Sequence, residues 1–268
     1  MRKLAIFRDA EVEPSEDYPL PVEVTGLEWS KLMSPPDYGL WLCVSSLEEG
    51  ATVTWPATHG DEALYVFEGE LEVGGHRCPA GGAVIVESAV AATAVATQRS
   101  RIGHYGPRSA ATTAAGPEGP PAPDGHRVHV VGPGGIVAFG DETTIGVRML
   151  ADSSCDTCRL SLFEVARDRS RQGRPHSHSA DEIIFVVSGS MRLGAHELGP
   201  GSSLCIPGGV RYAEASGDGG CVFLNYRPHA ADRTEFVKGE EPVSRPETPR
   251  ATPGLRTPND VVDVVVPA

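Results

Sequence analysis

Residues 173–189 read GRPHSHSADEIIFVVSG. Two histidines stand one residue apart, a glutamate follows four residues after the second, and an apolar run ends at a glycine. In an extended strand residues i and i+2 face the same side. His176 and His178 can therefore turn both imidazoles toward one point. Glu182 opens the next strand across a short turn and can face the same point. Two imidazoles and one carboxylate on one side of an ion form the facial arrangement used by non-haem Fe(II), with positions left open for substrate and oxygen. The same donors also accept Mn, Co, Ni or Zn.

The stretch has a counterpart earlier in the chain. At an offset of 120 residues, DEALYVFEGELEVGGHRCPAGGAVIV lies over DEIIFVVSGSMRLGAHELGPGSSLCI, with Glu62 on Glu182 and Gly69 on Gly189. Gly26 falls on Gly146 without a gap, and GHYGP (103–107) falls on LNYRP (224–228) after one extra residue. Two copies of one unit imply two similar domains. Short apolar runs bounded by Gly, Pro, Asp and Ser recur in each, and helical periodicity is poor, so both copies read as β. Strands are expected near 38–46, 52–55, 63–67, 70–74, 83–86, 91–96 and 100–105. The later copy has equivalents near 158–166, 183–187, 190–194, 203–206, 210–215 and 221–226. Short antiparallel strands at this spacing, with GG (74–75) and GA (194–195) as hairpin turns, suit a small barrel or jelly roll.

Between the copies, PRSAATTAAGPEGPPAPDG has a composition that cannot bury a core and reads as a linker or long surface loop. The expected ranges are 1–107 for the first barrel, 108–126 for the linker, 127–238 for the second barrel and 239–268 for a Pro-rich tail. The tail ends in VVDVVVP, a run suited to an edge strand on its own sheet or on a partner subunit, and so compatible with a homodimer. The formal net charge is −13, which repels phosphate backbones, so no nucleic-acid partner is expected. No apolar run approaches the roughly 20 residues that span a bilayer, and MRKLAIFRDAEVEPSED lacks a signal-peptide core. A cytoplasmic protein without a membrane partner is expected. Six cysteines, two of them in CDTC (155–158), are too few for a disulfide scaffold and read as ordinary thiols.

The residues just quoted resemble the motifs of the cupin superfamily. The first family motif ends H-x-H-x(3–4)-E-x6-G, matched by His176, His178, Glu182 and Gly189; its leading Gly is Ser170 here, with Gly173 nearby. The second, G-x5-P-x-G-x2-H-x3-N, is matched by Gly201, Pro207 and Gly209, but its His is Tyr212 and its Asn is Ser216. The chain thus looks like a bicupin: an all-β protein of two tandem double-stranded β-helix (jelly-roll) barrels joined by the Pro/Ala/Gly-rich linker. The resemblance implies one divalent metal ion per chain, Fe(II) first and Mn, Ni, Co or Zn as alternatives. It would be held by His176, His178, Glu182 and Tyr212, with Tyr212 and Glu182 as catalytic groups. Tyr212 can serve as ligand, as proton donor or base, or as a hydrogen-bond partner of a bound water. Glu214, His196 and His229 are the other groups able to fill the missing ligand position. In the first copy the matching positions are Pro56, Thr58 and Ala92, with only Glu62 retained and His59 near it. That barrel is expected to be metal-free.

The resemblance implies a small-molecule substrate and, first, an Fe(II) dioxygenase similar to quercetin dioxygenases. The alternatives are a non-redox metal-dependent isomerase, cyclase, dehydratase or decarboxylase, and a non-catalytic binding bicupin. Asn225–Tyr226 recurs as His104–Tyr105, and the repeated tyrosine reads as packing. Arg159 and Arg211 read as surface salt links.

Overall fold

The computed structural model describes residues 3–109, 128–133, 137–139, 145–151, 160–168, 172–228, 234–237 and 261–264. CDTC, Arg159, Ser170, His229, nearly all of the linker and most of the tail lie outside them. The regular structure of the described residues is strand, apart from one short 3-10 turn at Asp9–Glu11. The first half contributes β1 (Ala5–Phe7), β2 (Glu23–Leu32), β3 (Leu40–Trp55), β4 (Glu62–Glu68), β5 (Glu70–Val73), β6 (His76–Pro79), β7 (Ala83–Val86), β8 (Ala92–Ala96) and β9 (Ser100–Pro107). Then come β10 (Val128–Val131), β11 (Val137–Phe139), β12 (Ile145–Ala151), β13 (Ser161–Arg167), β14 (His176–His178) and β15 (Glu182–Leu193). The last are β16 (His196–Leu198), β17 (Ser203–Ile206), β18 (Glu214–Arg227), β19 (Thr234–Phe236) and β20 (Val261–Val264). No helix among the described residues is long and apolar enough to cross a membrane.

Several expected short strands are segments of longer ones. The runs at 38–46 and 52–55 are the two ends of β3: Leu40–Leu47 pairs with β9, Thr52–Trp55 pairs with β8, and Gly50 stands between them at φ +82°. The runs at 183–187 and 190–194 likewise belong to β15, which crosses Gly189 at φ +70° with bulges on either side. A bulge at a left-handed residue bends a strand without ending it. One strand can then serve both layers of a jelly roll. At 210–215 the difference is smaller. Tyr212 makes only an isolated bridge to His176, and the regular strand starts at Glu214.

All strand pairs are antiparallel, and the pairing crosses between the two halves of the sequence. One sheet runs β1-β17-β15-β18-β13-β12-β11 with β16 beside β15; the other runs β20-β10-β7-β4-β9-β3-β8-β5-β6 with β2 beside β3. The N-terminal β1 thus lies on the second barrel's sheet, and β10 and β20 extend the first barrel's sheet. The terminal valine run is an edge strand, on this chain's own first barrel.

Three apolar clusters follow from the alternation of inward and outward residues. One, around Trp41, Trp55, Leu64 and Ile102, fills the first barrel. Another, around Ile184, Leu204, Tyr212 and Phe223, fills the second. The third joins the two halves, combining Tyr38, Leu42, Tyr65 and Tyr105 with Leu162, Ile183, Phe185 and Tyr226. The repeated tyrosines meet there, with Tyr105 and Tyr226 ring centroids 5.4 Å apart. Polar contacts tie the same surface. The Tyr38 hydroxyl donates to the Ile206 carbonyl at 2.8 Å, and the Tyr65 hydroxyl donates to Glu164 Oε2 at 2.7 Å.

Candidate functional site

The four predicted residues of the second barrel come together. Three short connections do this. Strand β14 holds His176 and His178 on one side and pairs with β19, His176 opposite Phe236 and His178 opposite Thr234. The bridge from His176 to Tyr212 draws in the loop before β18. Glu182 opens β15 and is fully buried. The His176 and His178 rings lie 5.0 Å apart between centroids, and His176 and Tyr212 lie 4.5 Å apart. Glu214, by contrast, pairs with Arg167 at 2.5 Å, and His196 sits exposed on the β15–β16 hairpin, so neither joins the group. Arg211 is exposed.

The centre holds two residues not foreseen as part of it. Asn225 Nδ2 donates to Glu182 Oε2 at 2.8 Å. Arg227 Nε donates to the same oxygen at 3.3 Å, and its Nη2 donates to His178 Nε2 at 3.0 Å. The Arg227 guanidinium also stacks over Phe163, 5.4 Å from the ring centroid. The remaining carboxylate oxygen, Glu182 Oε1, accepts the Tyr212 hydroxyl at 2.6 Å. Asn225 and Arg227 are both buried, and the amide oxygen of Asn225 has no hydrogen-bond partner. Alternation along β18 puts positions 225 and 227 on one face. That was the available signal, and it is masked by the adjacent Pro228, which makes the arginine look like a strand end at the surface.

These contacts orient the two imidazoles. His178 Nε2 accepts from Arg227, so Nδ1 carries the proton and donates to Thr234 Oγ1 at 3.2 Å. His176 Nδ1 donates to the Arg174 carbonyl at 2.7 Å, which fixes the ring with Nε2 on its far side. His176 is half-buried, whereas His178 is buried. The Tyr212 phenol is held well above its ordinary pKa, first by burial and then by the Glu182 and Glu214 carboxylates. It is therefore a standing donor to Glu182 and not a base.

The atoms that would hold a divalent metal are turned toward one another and toward Arg227. Both Glu182 oxygens are engaged by Tyr212, Asn225 and Arg227, and the His178 lone pair points at the guanidinium. His178 Nε2 and Glu182 Oε1 are 3.9 Å apart. Among the described residues no group of three or more His, Cys, Asp or Glu is arranged to hold a metal. A dication roughly 4 Å from a guanidinium is repelled by about 8 kcal/mol at an effective dielectric of about 20, which offsets part of its attraction to Glu182.

The equivalent place in the first barrel is closed. Glu62 Oε2 accepts from Trp55 Nε1 at 2.7 Å and from His104 Nε2 at 2.9 Å. His104 Nδ1 accepts from the Tyr18 hydroxyl at 2.8 Å, and Trp41 packs edge-on against the imidazole. Burial lowers the His104 pKa against the opposing pull of Glu62, which matches a neutral ring. His59 turns its two nitrogens to the Gly60 and Val90 carbonyls, a contact that ties down a turn.

No family model matches the chain, and no curated protein matches it. Solved structures do. Lactobacillus farciminis oxalate decarboxylase in its formate complex superposes with a TM-score of 0.65 at 13% identity, covering 89% of this chain and 90% of that one. A mutant of Bacillus subtilis oxalate decarboxylase gives 0.62 at 12% identity over 87% and 79% of the two chains. The coconut allergen cocosin gives 0.60 at 11% identity over 84% and 87%. At such identities the likeness concerns architecture: the chain has the cupin fold, built as two barrels.

Proposed function

We propose that the second barrel is the site of a small-molecule enzyme of the non-redox class, an isomerase, cyclase, dehydratase or decarboxylase, with His176 as its acid–base group. The observation that carries this is the half-buried His176 imidazole, pinned through Nδ1 at the edge of a buried polar cage. A general base needs a lone pair aimed at the reacting proton and a second nitrogen pinned to hold the ring. His176 has its Nδ1 pinned by the Arg174 carbonyl, and its ring lies against Tyr212 and Phe236, so its Nε2 is the nitrogen offered for proton transfer. Glu182 and Tyr212 position the cage: the phenol holds the carboxylate, and the carboxylate holds Arg227. Decarboxylation is the member of this class that the fold likeness to oxalate decarboxylases brings forward. An iron-dependent dioxygenase has less support. It needs an open metal on His176, His178 and Glu182, where the guanidinium of Arg227 lies.

The test is incubation of chelator-treated protein in D2O with a panel of hydroxy, keto and dicarboxylic acids and reducing sugars, followed by NMR. Solvent deuterium or a rearranged product is expected with at least one compound, and its loss is expected in His176→Ala. Turnover that consumes O2 and requires added Fe(II) would move the protein to the oxygenase class. Saturable binding without turnover would make the barrel a binding module.

A further inference from the structure

The two copies solve one packing problem in opposite ways. In the first barrel Trp41 pairs across the sheet with Gly106. In the second the equivalent pair is Ser161 with Arg227. A large residue beside a small one has become a small residue beside a large one, on the other strand. Gly106 must stay small: a Cβ there would collide with the Trp41 ring and come within 2.9 Å of Glu62 Cγ. The glutamate that both copies share is thus satisfied from within the chain in each. Glu62 takes neutral donors from Trp55 and His104; Glu182 takes Asn225, at the position matching His104, and the cation of Arg227.

We propose that Arg227 is a permanent internal cation in the metal position of the second barrel, so that this barrel is built to work without a metal ion. Three features hold the guanidinium in place. It spans Glu182 and His178 with separate nitrogens. It lies on the face of Phe163. Its residue is buried in the barrel, at the end of a strand paired on both sides. The charge it brings balances the one carboxylate of the cage, as a metal would overcompensate it. His176 and His178 are then released from ligation, one to face the ligand and the other to accept from Arg227. The inference rests on the proposed function only in taking the second barrel as the working one.

The experiment is metal binding in the absence of substrate, so its result is independent of whether the D2O panel yields turnover. Wild-type protein is purified, analysed for bound metals, and titrated calorimetrically with Mn(II), Co(II), Zn(II) and, under anaerobic conditions, Fe(II). No stoichiometric metal is expected in the wild type. Arg227→Met is expected to bind one equivalent more tightly by on the order of 100-fold or more, and to lose it again when His178→Ala is added. Arg227→Lys keeps the charge and is expected to behave like the wild type. If Arg227→Met does not fold, Arg227→Gln takes its place and the wild-type result still decides. One tightly held metal per wild-type chain, lost in His176→Ala/His178→Ala, would overturn the proposal. So would a folded Arg227→Met protein that binds metal no better than the wild type.

Discussion

A guanidinium and a carboxylate sealed inside a barrel are stable as a pair and costly apart. Glu182→Ala leaves Arg227 buried without its main counter-charge and is expected to cost about 3–5 kcal/mol in denaturant unfolding. Removing both charges with Glu182→Ala/Arg227→Met is expected to recover much of that loss, because the two residues share one interaction and their effects do not add. Additive losses in the double-mutant cycle would mean that the pair is not coupled. His176→Ala separates function from stability. The ring is half-buried and, among the described residues, hydrogen-bonds to Arg174 and packs against Tyr212 and Phe236, so its loss is expected to shift stability by about 1 kcal/mol while removing the turnover sought in the D2O panel. At this scale the sequence was readable where two-residue periodicity carries the information. It put His176 and His178 on one side, with Glu182 opposite them. It did not reveal Arg227, because hydrogen bonds from a fourth strand to the cage exist only after the barrel closes.

The elements depend on a few glycines more than on strand propensity. Gly69 and Gly189 occupy equivalent places in the two copies, at φ +83° and +70°. At each, a Cβ would run into backbone across the sheet: Arg99 O at Gly69, Gly220 O at Gly189. Gly194, at φ +57° in the β15–β16 turn, has open space on the side where a Cβ would stand, with nothing within 4 Å. Gly189→Ala therefore combines backbone strain with a collision and is expected to cost about 2–4 kcal/mol. Gly194→Ala carries strain alone, about 1 kcal/mol. The midpoints of denaturant unfolding check the difference, and equal losses would contradict the role given to the Gly189 bulge. The repeat made these positions visible as matching glycines but not what they do. Gly189 joins segments of β15 that look separate in the sequence, as Gly50 does in β3, so both strands are longer than their apolar runs. The exchange of end strands was less legible still. Ala5–Phe7 is three residues long and carries no mark of its partner; pairing with Cys205, Leu204 and Ser203 is decided by the neighbouring barrel.

The two barrels share a core, and that core is rich in groups that must keep their protons. All six tyrosines have pKa values raised chiefly by burial. Burial also pushes the thiols of Cys43, Cys78 and Cys205 up to about 12 and that of Cys221 up to about 11. A folded pKa above the unfolded one means that the native state keeps its proton after the unfolded state has lost it. The stabilisation is complete below the unfolded values and disappears as pH rises through the folded ones. His104 has the opposite sign: its lowered pKa favours the native state above the ordinary imidazole range and withdraws that support as pH falls. Tyr38, Tyr65, Tyr105 and Tyr226 all lie in the cluster that joins the barrels, so ionising them attacks both halves at once. Alkaline unfolding is therefore expected as one cooperative transition beginning above about pH 9. Phenolate absorbance should appear together with the loss of β circular dichroism, because the phenols reach solvent only when the barrels part. Phenolate signal developing near pH 10 with the dichroism intact would show that the tyrosines titrate within the fold. Two separate transitions would show that the barrels do not share the core that Tyr105 and Tyr226 form between them.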